Sequence, residues 1–261
     1  MPFDLESITN EKRMCAPRII LTGTEKVGKS EWAAGSNNPI FIPIKREEGI
    51  DDLQVEKFPV CNSVDDVRSA LRTLHEKQHD FGTVVIDSSS TLEPLIWEEV
   101  CRKNGNKGSI GEVLDGYGKG EQLALLVWQE IADWLDALRR DLGMASIVIG
   151  HVIVSRFDDP LGPSYDTFKW DINKHACAMM TRWADSILFA NFKTVVRDEK
   201  LGFHKENVKH KATDYTDGAR FLYTAKRPAH PGGGRGVFGR LPYELPLSWP
   251  AFMEAVTKAA G

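Results

Sequence analysis

With 261 residues, 42% hydrophobic and 27% charged, the chain suits one large α/β domain and has an ordinary globular composition. A net charge of −4 argues against a protein that coats duplex DNA by bulk charge, although a local basic groove would vanish in that sum. Cys15, Cys61, Cys101 and Cys177 are too scattered for a zinc ribbon or a disulfide framework, and neither a signal-like leader nor an apolar run of about 18 residues is present. The expectation is a reduced protein of the cytoplasm that makes no membrane contact.

Residues 1–16 read as a polar leader and residues 17–261 as a single domain. Arg18 to Thr22 is an apolar strand, followed by Gly23-Thr24-Glu25-Lys26-Val27-Gly28-Lys29-Ser30, which fits G-x-x-x-x-G-K-[ST] between a strand and a helical start. Gly23 and Gly28 let the backbone turn tightly, so that successive N–H groups form an anion nest. Lys29 offers a charge to the β and γ phosphates of ATP, and Ser30 a hydroxyl ligand to Mg²⁺. Gly35 to Pro39 stops the helix, and Ile40 to Ile44 forms a second strand that ends in Lys45-Arg46-Glu47-Glu48-Gly49. Ser63 and Asp66 set a capping box for a helix with Val64, Val67, Leu71 and Leu74 on one face.

Thr83 to Asp87 is a continuous apolar run ending in a carboxylate, as a strand buried on both faces requires. Asp87 is placed to hold Mg²⁺. The next residue is Ser88 and not glutamate, so the carboxylate that activates water must come from elsewhere; Glu48 is the choice, with Glu47 beside it. Residues 88–102 read as helix and 104–121 as a glycine-rich loop with Tyr117-Gly118-Lys119-Gly120. A long helix then carries Leu125, Trp128, Ala132, Leu135, Leu138 and Leu142 toward a Gly143 cap. Ala145 to His151 is another buried strand whose terminal histidine could sense the γ-phosphate. From Arg156 to Lys174 periodicity is lost, and Tyr165, Phe168, Lys169 and Trp170 interleave charge with aromatic rings as a single-strand channel does. A helix over 179–184, a strand over 186–190 and a hairpin starting at 193–198 follow. A last strand at 219–224 and a closing helix capped by Ser248 complete a β-rich part at 192–247 and a helical end at 248–261. No guanine-reading N-K-x-D motif occurs.

The motifs GTEKVGKS, EEG at a strand end, TVVIDSSS, DGYGKG, VIGH, RWADSILFA and LPYELPLSWPAF occur in that order. In this combination the chain resembles the RecA-core ATPases, and within them the phage-encoded RecA-like single-strand annealing ATPases of recombination, over roughly residues 17–250. The resemblance implies a RecA-like P-loop NTPase core, a mostly parallel sheet flanked by helices with an antiparallel C-terminal extension. It implies Glu48 as the catalytic glutamate, with Lys29, and His151 as the γ-phosphate sensor. It also implies DNA-facing loops after Asp87 and His151, which carry Tyr117, Lys119, Tyr165, Phe168, Lys169 and Trp170. Rings or filaments of the chain would place ATP between protomers, completed in trans by Lys226, Arg227 or Arg235. The function so implied is ATP-driven annealing of single-stranded DNA, with a single-strand-binding protein as a candidate partner and the host cytoplasm as its place. The alternative is a nucleotide-gated loader or scaffold that acts mainly through protein partners.

Overall fold

Strand β1 (Arg18–Gly23) alternates its side chains between two cores: Ile20 faces one apolar cluster, Ile19 and Leu21 the other, and all three are fully buried. Each such burial stabilises the fold by roughly 1.5–3 kcal/mol. The chain is described here by a computed structural model that covers residues 8–10, 15–47, 49–193, 195–200, 208–213 and 218–261. After β1 come α1 (Lys29–Ala34), β2 (Pro39–Pro43), a short β3 (Glu56–Lys57) and α2 (Val64–Glu76). Ser63 caps α2 by accepting from the Asp66 amide while the Asp66 carboxylate accepts from the Ser63 amide, the expected capping box. Strand β4 (Thr83–Asp87), α3 (Ser89–Lys103), α4 (Lys119–Leu142) and β5 (Ala145–Gly150) follow.

The remaining elements are β6 (Val152–Phe157), β7 (Tyr165–Trp170), α5 (Lys174–Trp183), β8 (Ser186–Phe192), β9 (Val195–Lys200) and β10 (Val208–Thr213). The chain then runs through β11 (Arg220–Tyr223), β12 (Gly233–Gly234), β13 (Glu244–Pro246) and α6 (Trp249–Ala260). Among the described residues the main sheet has the order β13-β11-β8-β1-β5-β4-β2-β3. It is parallel from β8 through β3, whereas β11, β12 and β13 join antiparallel at the β8 side. Helices α2, α3, α4 and α5 cover one face of the sheet, and α1 and α6 the other. Strand order β1-β5-β4-β2 thus brings the tips of β1, β4, β5 and β2 to one edge, where parallel α/β folds bind ligands.

A charged cluster closes the opposite end of β1. Arg18 pairs with Asp185 at 2.9 Å and with Asp136 of α4 at 3.1 Å, and Arg139 reaches Asp185 at 3.1 Å. Several expectations need correction. The stretch 156–174 holds the end of β6 and all of β7, which pair from Val152↔Trp170 to Phe157↔Tyr165, since β-branched and aromatic residues suit a half-covered ribbon. Helix α5 starts at Lys174, well before residue 179, because Asn173 caps it by accepting from the His175 amide. The loop 104–121 contains a 3-10 turn at Ile110–Asp115, and α4 already begins at Lys119. Leu142, expected in the core stripe of α4, is 44% exposed in the last turn, while Ile131 is buried. Ser248 stands at the N-cap of α6 without a side-chain capping bond. Among the described residues no helix is long and apolar enough to cross a membrane.

Candidate active site

The loop from Gly23 to Gly28 lies directly beyond β1. A Cβ at Gly23 would collide with the Ala190 carbonyl of β8, and Gly28 has φ 99, the left-handed region where glycine is unstrained. Val27 is buried beneath the loop, while Glu25 and Lys26 are exposed on it. Lys29 is 6% exposed and donates from Nζ to the Gly23 carbonyl at 3.0 Å and the Thr24 carbonyl at 2.8 Å. Burial pulls its pKa down, opposed by the nearby Asp87 and Glu47 carboxylates.

Ser30 Oγ donates to Asp87 Oδ2 at 2.6 Å. Asp87 ends β4 and is buried, and burial pushes its carboxyl up to about 6, against the Ser30 hydrogen bond. A hydroxyl and a carboxylate side by side at the mouth of an anion nest are hard oxygen donors and fit Mg²⁺ with phosphate. Ser30 and Asp87 would hold the ion; when bound it neutralises charge on the β and γ phosphates.

Glu47 stands at the tip beyond β2, its amide bonded to the Ile44 carbonyl at 3.0 Å. Its Oε1 accepts from Ser88 Oγ at 2.5 Å and lies 2.9 Å from His151 Nε2. Burial pushes the Glu47 carboxyl up, but the hydrogen bonds from His151 and Ser88 and the Lys29 charge together hold it below the ordinary carboxylate range. His151 Nδ1 is buried without a partner among the described residues, which suits an imidazole whose proton is on Nε2 and faces the carboxylate. A fixed carboxylate beside an anion nest, with a lysine and an Mg²⁺-type donor pair, can orient water against a terminal phosphate and accept its proton.

The structure brings together the Gly23–Ser30 loop, Asp87 and His151, all at the carboxyl edge of the sheet. Glu48 lies outside the described residues; its neighbour Glu47 occupies the site. Tyr117 is 93% exposed before α4, and Lys119 Nζ donates to the Leu114 carbonyl at 3.0 Å. Tyr165 faces Phe157 across the hairpin at 5.3 Å, Phe168 packs on Phe189 at 5.2 Å, and Lys169 is exposed. Trp170 is different: it is buried, and its indole N–H donates to Ser89 Oγ at 3.0 Å, so it anchors the hairpin instead of offering a stacking face. Arg235 is likewise engaged inside the chain, its guanidinium donating to the carbonyls of Arg182, Trp183 and Ala184 at the end of α5. Lys226 is exposed, and so is Arg227, which stacks over Tyr243 at 4.4 Å.

Sequence reasoning missed the serines after Asp87. Ser88 holds Glu47, Ser89 donates to the Ile149 carbonyl at 2.8 Å, and Ser90 Oγ accepts from the His151 amide at 3.0 Å. The triplet was visible in TVVIDSSS, but a serine run has no metal or acid-base signature. Arg220 of β11 was also missed; it pairs with Glu31 at 2.6 Å beside Gly28.

A parallel sheet with a phosphate loop after β1, and a metal-type carboxylate at the tip of β4, defines a P-loop NTPase. Residues 16–236 match the family model described as AAA domain, and the chain belongs to that family. No individual curated relative matches the chain.

Proposed function

We propose that this AAA-type domain hydrolyses ATP with Glu47 as the carboxylate that polarises water, and that its nucleotide state controls binding and annealing of single-stranded DNA in recombination. The observation that carries the reading is the position of His151. Its ring touches Glu47 at 2.9 Å, and its backbone leads at once into β6, so a change at the γ-phosphate reaches the β6–β7 hairpin within one peptide unit. Tyr117 before α4 and Lys119 at its first residue, with Lys169 and Tyr165 on the hairpin, supply the charge and rings that a single strand needs. Rings or filaments, and cooperation with a single-strand-binding protein, belong to the same proposal. The test is ATP turnover with single-stranded DNA, with duplex DNA and without DNA, across a salt series. Stimulation by single strands that fades with salt supports the reading, and equal turnover in all three overturns its DNA half.

A second reading, the nucleotide-gated loader, is favoured by Val154 and Leu161, which are 63% and 96% exposed on the same hairpin and offer apolar surface to a protein partner. Turnover that responds to a replication or recombination protein but not to DNA would select it.

A further inference from the structure

Between the β6–β7 hairpin, α5 and the loop over 226–232 lies a half-open cavity of about 520 Å³, within the size range of small-ligand sites. Phe157, Tyr165 and Phe168 give it an aromatic wall. Lys169, Lys174, Lys226 and Arg227 also line it and, among the described residues, no acidic side chain does, although the chain as a whole carries a net charge of −4. All four cations are exposed, and among the described residues none of them enters an ion pair. Elsewhere in the fold Arg18, Arg68, Arg139 and Arg220 each have a carboxylate partner. Cations without an ion-pair partner around an aromatic wall attract a group that joins negative charge to a flat ring.

We propose that this cavity receives one unstacked nucleotide of single-stranded DNA, its base against the hairpin aromatics and its flanking phosphates on Lys174, Lys226 and Arg227; the inference rests on the single-strand reading above and gives it a site. Lys226 and Arg227 then serve DNA bound to their own chain, not ATP bound to a neighbour. The cavity is mechanically joined to the phosphate loop. Thr22 of β1 lines it, the Phe168 amide donates to the Ala229 carbonyl at 2.8 Å, and Phe168 packs on Phe189, whose neighbour Ala190 accepts from the Thr24 amide.

The experiment uses the full chain with ATP and an oligothymidylate containing one 2-aminopurine, reading affinity by anisotropy and unstacking by fluorescence. The parent protein should bind and raise the fluorescence. Joint Lys174→Glu and Lys226→Glu substitution should weaken binding by at least about tenfold and flatten the salt dependence by about 0.7 in log–log slope for each phosphate that is no longer neutralised. Phe157→Ala should remove most of the fluorescence rise and weaken binding by about tenfold. These side chains lie at the surface, and unchanged melting temperatures verify that the variants fold. Undiminished affinity in the double variant, without unstacking in the parent, overturns the cavity and leaves the single-strand reading standing. If the parent binds no single strand, that reading fails, and titration with dTMP decides: binding abolished in the double variant keeps the cavity as a free-mononucleotide site, and no binding overturns it.

Discussion

Ser88 Oγ and His151 Nε2 converge on one oxygen of Glu47, so the carboxylate is held from two sides. Such a group needs little reorganisation as charge develops, and general-base assistance of this kind is worth about 10²–10⁴ in rate. Glu47→Gln should therefore lower turnover by about 10²–10⁴ with nucleotide affinity retained, measured by steady-state phosphate release and equilibrium binding. If Glu48→Gln does this and Glu47→Gln does not, the carboxylate beside His151 is structural. Ser88→Ala removes one of the two constraints and leaves Glu47 ionisable. Its expected signature is a fall in kcat of about tenfold with little change in KM, together with an upward shift of the acidic limb of the pH–rate profile. The shift follows from sign: Ser88 stabilises the ionised carboxylate, so without it Glu47 protonates at higher pH. An unchanged acidic limb would refute that role.

The hairpin and β1 are fastened by different chemistry. At the base of the hairpin Trp170 joins Ser89, which itself bonds the Ile149 carbonyl of β5. Trp170→Phe keeps an aromatic ring but loses the N–H, a bond worth about 1 kcal/mol, and should speed amide exchange in β6 and β7 selectively. Uniform exchange across the sheet would show that the anchor is elsewhere. At β1 the fastening is ionic. Burial raises the Asp185 carboxyl, but Arg18 and Arg139 more than offset this and hold it below its ordinary 3.8. The folded state then binds the proton less readily than the unfolded chain, so the contribution is complete above about pH 4 and is lost as pH falls through the folded value. Asp185→Asn should cost about 3 kcal/mol near neutrality and flatten the acid limb of a denaturation series; a parallel limb would exclude Asp185 as its source. These fastenings also mark where the sequence was legible. β1, β2, β4, β5 and β8 could be read because buried parallel strands are continuous apolar runs, and the phosphate loop because its spacing is rigid. The pairing of Glu47 with His151, residues far apart in the chain, exists only after β2, β4 and β5 are ordered. The hairpin and the early start of α5 escaped because a half-covered ribbon and an Asn173 cap leave weak periodicity.

Across the whole molecule the cations are unevenly placed with respect to the reaction. Lys29 is the cation in the anion nest, already bonded to the carbonyls of Gly23 and Thr24, whereas Arg220 is occupied by Glu31 and Arg235 by the end of α5. Phosphoryl transfer spreads charge over the terminal oxygens, and a second cation supplied by a neighbouring molecule is worth about 10³–10⁵ in kcat. If the chain works as an assembly, specific activity should rise with protein concentration. Turnover per protomer should climb by about 10³ from the dispersed to the assembled state, in step with light scattering in the presence of ATP. Glu47→Gln, by slowing hydrolysis, should hold the assembled state longer at the same ATP concentration. Specific activity that is flat over the range where scattering changes would mean that one chain completes its own site, and the second cation would then have to be sought at the exposed Lys45 and Arg46 beside Glu47.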